Sequence, residues 1–222
     1  MTIICAIHQP NFFPWLGYFD KIKRADIFVF LDDVQNPKKG SSWFNRTKLN
    51  CVGKEKWVTV PIRRPHGFTL INKVEFSDSE WKAHFLEVLN NYYRKCDASG
   101  KIIDEVYNLI NREDYQYLAD LNKDVILYFS NKFGYQTKFV SKSELNIESK
   151  STQMLIDVCK AVGADTYLCG GGASGYQEDE LFKEEGINLI YQNYVPLLYG
   201  NPDTYLPGLS IIDYLMRKDC EE

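Results

Sequence analysis

The sequence has no cysteine pair at C-x-x-C spacing. Its six cysteines (Cys5, Cys51, Cys96, Cys159, Cys169 and Cys220) are scattered, which argues against a zinc site of the usual spacing, and no metal ligand is singled out. Cys5, Cys159 and Cys169 fall inside apolar runs, where a thiol serves as a small core group. There is no excess of basic charge. The 26 Lys and Arg face 30 Asp and Glu, for a formal charge of −4, so bulk electrostatics disfavour nucleic acid as a partner. No long apolar run is present. The opening one is short and is soon followed by Asp20 and Lys21, so the expectation is a cytoplasmic chain with no membrane span and no export signal. The P-loop pattern G-x-x-x-x-G-K-[ST] is absent, and with it that phosphate-binding fingerprint. Internal repeats and low-complexity segments are also lacking. The 222 residues suit one α/β domain over 1–222, with no boundary between independent parts.

What is present begins with Ile3-Ile4-Cys5-Ala6-Ile7-His8-Gln9. This apolar run is too short for a helix and reads as a buried strand with polar residues at its tip. Pro10 and Pro14 bracket a loop containing Asn11, Phe12 and Phe13. Trp15, Gly17 and Tyr18 then lead into helical spacing. A strand, a tight loop and a helix start make a ligand-binding corner, where free N–H groups suit an anion. Ile27–Leu31 is a second buried strand, closed by Asp32 and Asp33. The strand–helix–strand unit is right-handed and parallel, so His8-Gln9 and Asp32-Asp33 are expected at one sheet edge.

Further along, Lys38-Lys39-Gly40 lies in a polar loop, and Trp43-Phe44-Asn45-Arg46-Thr47-Lys48 mixes aromatic, amide and cationic groups. It reads either as a solvated strand face or as a lip offering Asn45, Arg46 or Lys48 to an anion. A turn at Asn50–Gly53 predicts a hairpin with the β-branched run Lys56–Ile62. Arg63–Gly67 is a basic turn, and Thr69–Phe76 reads as another strand. A helical insertion is predicted over about 77–134, with Ser77 or Ser79 as its cap. Thr137–Val140 is a strand. Ser141–Lys150 is a polar loop in which Lys142 and Lys150 flank Ser143 and Ser149, and Ser151 is expected to cap a helix that Gly163 ends. Asp165–Cys169 is a strand that runs into Gly170, Gly171, Gly172 and Gly175, beside Ser174 and Tyr176. Glycines there permit close backbone approach to a ligand. Ser210 and Asp213 have capping-box-like spacing at the start of the last helix. The expected fold is thus α/β: a Rossmann-like, mostly parallel sheet with a β-hairpin excursion and the helical insertion.

Several of these residues carry a family likeness. Gln9-Pro10-x-Phe12-x-Pro14-x-x-Gly17-Tyr18, Asp32-Asp33-Val34-Gln35, Trp43-x-Asn45-Arg46, Gly163–Tyr167 with the glycine loop and Tyr176, and Leu209–Asp213 resemble the WbqC-like family across nearly the whole chain. The resemblance implies a place in bacterial O-antigen or other surface-polysaccharide biosynthesis. It implies transfer of an amino-acid or acyl group, glycine in the suggested case, to the amine of a nucleotide-linked amino sugar. The small-molecule substrate would then be a nucleotide sugar, and the acyl or aminoacyl donor a carrier protein or CoA; no cofactor is evident. In this reading His8 is the base and Asp32 or Asp33 orients it or binds the ammonium. Gln9, Asn11, Trp15, Gly17, Tyr18, Asn45, Arg46, Lys48, Gly170, Gly171, Gly172, Ser174 and Tyr176 bind substrate.

A more distant similarity is to nucleotidylyltransferases and pantothenate synthetase, whose H-x-G-H signature occupies the place of Trp15-x-Gly17-Tyr18. Trp and Tyr replace both histidines, which argues against adenylyl transfer by that route. An ATP-dependent acyl-adenylate-forming enzyme and a non-catalytic sugar-nucleotide-binding protein remain the alternatives.

Overall fold

A computed structural model of the chain describes residues 2–36, 42–63, 68–171 and 178–219. In chain order the elements are β1 (Ile4–His8), α1 (Leu16–Lys23), β2 (Ile27–Phe30), β3 (Arg46–Cys51), β4 (Lys54–Thr59), α2 (Trp81–Tyr93) and α3 (Ser99–Ile110). They continue with α4 (Leu118–Lys132), β5 (Lys138–Ser141), α5 (Ser151–Ala161), β6 (Thr166–Cys169), α6 (Asp179–Glu184), β7 (Asn188–Tyr191) and α7 (Ile211–Arg217). The fold is mixed α/β, with a five-stranded parallel sheet, a separate antiparallel hairpin and seven α-helices among the described residues.

Backbone contacts divide the chain into two compact units. The first comprises Met1–Pro10, Gly17–Val34 and Tyr128–Val195. Its sheet has the order β5-β2-β1-β6-β7, with every neighbour parallel. Such a sheet is covered on both faces, so its strands are almost wholly apolar rather than alternating. Ile4–Ile7, Ile27–Phe30 and Thr166–Cys169 fit that rule. One face packs Cys5, Ile7, Val29, Tyr167 and Cys169 against Ile156 and Cys159 of α5 and Phe182 of α6. Elsewhere in the unit Tyr18 and Phe19 of α1 meet Phe28, Phe129 and Phe133 in edge-on and tilted ring contacts. Gly163 ends α5 at φ +72°, a conformation that a side chain strains.

The second unit comprises Asn11–Leu16, Gln35–Leu127 and Pro196–Glu222. Its hairpin pairs β3 and β4 from Arg46↔Thr59 to Cys51↔Lys54. Val52 (φ 51°) and Gly53 (φ +76°) form the two-residue turn, as primed hairpin turns require. Phe12 and Phe13 are fully buried against Phe85. The Phe13 carbonyl accepts from Thr47 Oγ1 (2.9 Å) and Ser210 Oγ (2.8 Å).

Three local expectations need correction. Thr69–Phe76 is not a strand: Ile71–Lys73 forms a 3-10 turn, flanked by isolated bridges Gln35↔Leu70 and Ile62↔Phe76. Neither serine caps α2; the Glu80 N–H bonds to Asp78 Oδ1. Lys150, not Ser151, holds the cap position of α5, with no side-chain bond.

Ser210 does cap α7, accepting from Ile212 N–H. Asp213, however, completes no capping box. It is 1% exposed and accepts from Tyr93 Oη (2.7 Å) and Tyr199 Oη (2.8 Å), with Arg217 Nε at 3.4 Å. Burial pushes its carboxyl up from the usual range, while the two phenols and Arg217 pull it down.

Candidate functional site

In the first unit the sheet reverses its winding between β1 and β6. From β1 the chain steps outward to β2 and β5, then returns to place β6 on the other side of β1. Open α/β sheets bind ligands outside the carboxyl ends of strands at this kind of reversal. Here those ends carry His8-Gln9 and Cys169-Gly170, and β2, parallel to β1, carries Asp32-Asp33 at the same edge. The tips after β1, β2 and β6 therefore share one sheet edge.

The first tip converges on a single carbonyl. His8 Nδ1 lies 3.0 Å from the Gln9 oxygen, and Tyr18 Oη donates to that oxygen at 2.9 Å. The His8 and Tyr18 rings meet edge-on at 4.8 Å. A carbonyl only accepts, so Nδ1 carries the proton and Nε2 keeps the basic lone pair. Burial, and then the charge of Lys21, lower the His8 pKa to about 3, against a small opposing pull from the Gln9 carbonyl. His8 is a neutral imidazole at pH 7.

Asp32 and Asp33 turn toward β5. Asp32 accepts from Ser143 N–H (3.0 Å) and Ser143 Oγ (2.8 Å). Asp33 Oδ2 takes Lys142 Nζ at 2.8 Å, and Lys142 also reaches the Ile147 carbonyl. The lysine-serine loop is thus strapped to the β2 tip. Asp33 Oδ1 is buried with no donor among the described residues. The Gly17 carbonyl accepts from Gln192 Nε2. A Cβ at Gly170 or Gly171 would meet nothing within 4 Å, so backbone crowding does not explain these glycines.

Gly172, Ser174 and Tyr176 lie outside the described residues, as do Lys38-Lys39-Gly40 and most of the basic turn after Arg63. In sequence Gly170, Gly172 and Gly175 have G-x-G-x-x-G spacing, between β6 and α6. The acidic residue that completes a dinucleotide fingerprint is missing, since β7 ends at Tyr191 and Gln192-Asn193 follow it.

Lys21 is the residue that sequence reasoning overlooked. It is 3% exposed, and its Nζ donates to the Ile7 carbonyl at 2.9 Å and lies 5.9 Å from the Tyr167 ring centre. Thr166 N–H bonds to the Ile3 carbonyl, so by strand alternation Ile7 also points its carbonyl toward β6. Lys21 supplies the donor there, at the seam where the sheet reverses. No carboxylate pairs with it among the described residues. Burial lowers its pKa to about 8, with the Cys169 and Cys5 thiols pulling the other way. The signal was available: Lys21 follows Gly17 and Tyr18 at helical spacing, on the buried stripe of α1.

This lysine predicts a pH dependence. Its native pKa of about 8 lies below the unfolded value of about 10.4, so the unfolded chain binds more protons between the two. Stability is short by up to about 3 kcal/mol below pH 8 and recovers as pH rises through that window. Lys21→Met should remove the alkaline gain in urea unfolding. Parallel wild-type and variant profiles would mean that the ammonium is solvated.

The second unit holds the remaining residues singled out in the sequence. Asn11 is buried, and its Nδ2 has no acceptor among the described residues. Asn45 is spent on its own turn, accepting from Ser42 N–H and donating to the Val60 carbonyl. Trp15 contacts Trp43, and Arg46 and Lys48 lie over tryptophan rings. No group of three or more His, Cys, Asp or Glu could hold a metal ion among the described residues. No helix there is long and apolar enough to cross a membrane.

The chain is 27% identical to the uncharacterized protein Rv1507c of Mycobacterium tuberculosis, over 97% of this chain and 94% of that one. No solved structure matches. The WbqC-like protein family matches residues 9–222, and to that family the chain belongs.

Proposed function

We propose that the chain is a transferase that moves an amino-acid or acyl group, glycine in the narrowest form, onto the amine of a nucleotide-linked amino sugar. The observation that carries this reading is His8 at the reversal between β1 and β6, held neutral by burial, with Nδ1 donating to the Gln9 carbonyl and the basic lone pair on Nε2. In the reaction the amine nitrogen bonds to the acyl carbon and the bond to the donor's leaving group breaks. The nitrogen's proton passes to His8 Nε2 and then to the leaving group. Backbone N–H groups of Gly170 and Gly171 are suited to the developing oxyanion or to a phosphate. An anionic substrate would offset the field of Lys21 and so raise the His8 pKa toward the range in which a base works.

The test is mass-spectrometric detection of an acylated or glycylated amino sugar, with acyl thioesters and glycine plus ATP as donors. His8→Asn should keep its thermal unfolding transition near wild type and lose at least about a hundredfold in turnover. Full activity in that variant would refute the assignment. ATP-dependent pyrophosphate release would favour an acyl-adenylate mechanism. Saturable binding with no product from any donor would favour a binding protein.

A further inference from the structure

The hairpin of the second unit carries an unusual face. Strand alternation puts Arg46 and Lys48 of β3 on the same side as Trp57 of β4, with Lys48 directly opposite Trp57. Trp57 touches Trp43 at 4.7 Å between ring centres, and Trp43 touches Trp15 at 4.7 Å. The Arg46 guanidinium carbon lies 4.0 Å from the Trp57 ring centre, and Lys48 Nζ lies 5.4 Å from the same ring. Trp57 is 37% exposed.

The two cations differ in how they are satisfied. Lys48 is paired with Glu55 at 3.0 Å. Arg46 has no hydrogen bond and no carboxylate partner among the described residues, and its Nε is buried without an acceptor. Stacking on a ring attracts the charge but accepts none of the five N–H donors. A planar donor fork held rigid against an indole is the arrangement that grips phosphate with two parallel bonds. The part of the Trp57 indole that stays exposed offers aromatic surface to a second ring.

We propose that this face binds a phosphate carried on a ring, with Arg46 taking the phosphate and Trp57 stacking on the ring. A nucleoside monophosphate and a hexose phosphate share that chemistry. The site is built wholly from residues of the second unit and does not depend on the transferase reading or on His8.

Calorimetric titration of the full chain with UMP, a hexose phosphate and inorganic phosphate tests the proposal, together with NMR of the indole N–H signals. Saturable binding of at least one ring phosphate is expected, tighter than that of inorganic phosphate and shifting the Trp57 signal. Comparing the first two probes decides between a nucleobase and a sugar face. Arg46→Met should weaken binding about ten- to a hundredfold, and Trp57→Leu about tenfold. Arg46→Lys, which keeps the charge but not the fork, should also weaken it and serves if the methionine variant does not fold. Three results would overturn the proposal: no saturable binding of either ring phosphate, inorganic phosphate bound as tightly as both, or arginine variants that bind like wild type. His8→Asn should bind these probes at this face unchanged.

Discussion

Replacing Asp213 by alanine is expected to cost about 3–5 kcal/mol of folding stability, the range seen when one partner of a buried charged cluster is removed. Asp213 is nearly sealed from solvent and accepts from Tyr93 and Tyr199, next to Arg217. Its loss strands two phenol hydroxyls and leaves the Arg217 charge without its carboxylate. Tyr93 also accepts from Asn50 N–H, so the damage reaches β3 as well as α2 and α7. Tyr93→Phe removes both the bond to Asp213 and the acceptor of the Asn50 N–H but leaves Arg217 its carboxylate, and should cost about 1–3 kcal/mol. Urea unfolding measures both. A loss below about 1 kcal/mol for Asp213→Ala would mean that the carboxyl is already neutral and replaceable.

The second large effect concerns acid. The native His8 pKa of about 3 lies well below the value of about 6.5 expected in the unfolded chain. Between those values the unfolded state binds more protons, so stability is intact above pH 6.5 and drains away as pH falls toward 3. By pH 4 the loss from this one group reaches at most about 3 kcal/mol, and the ring's partial exposure lowers it. Carboxylates titrate in the same range, so the quantity to read is the difference between wild type and His8→Asn from pH 7 to pH 4. The variant should gain relative to wild type on acidification. A constant difference would place the imidazole in water and remove the argument that it is held neutral.

Much of the fold is written in local patterns. The apolar runs around Cys5, Phe28 and Leu168 have no polar alternation, as strands covered on both faces require. The turn after Asn50 marks the hairpin because Gly53 tolerates positive φ. Thr69–Phe76 misleads for a definite reason. Its buried residues, Ile71 and Val74, are three apart, the period of a 3-10 turn rather than the two of a strand. The candidate site is less readable, because its side chains answer to distant partners. Asp32 and Asp33 meet Ser143 and Lys142, 111 and 109 residues away. Asp213 meets Tyr93 across 120 residues, so its local spacing suggested a cap. Lys21 shows the opposite error: its position on an apolar stripe outweighs the usual rule that a lysine ends in solvent.

The order of the sheet also bears on how the chain is made. β1 leaves the ribosome long before its partner on one side, β6, which begins at Thr166 and pairs with Ile4. Until then the middle strand has a neighbour on one flank only, and its other flank presents bare amide and carbonyl groups. Nascent or truncated chains that stop short of Thr166 would carry that sticky flank into the cell, where other unfinished polypeptides can add to it.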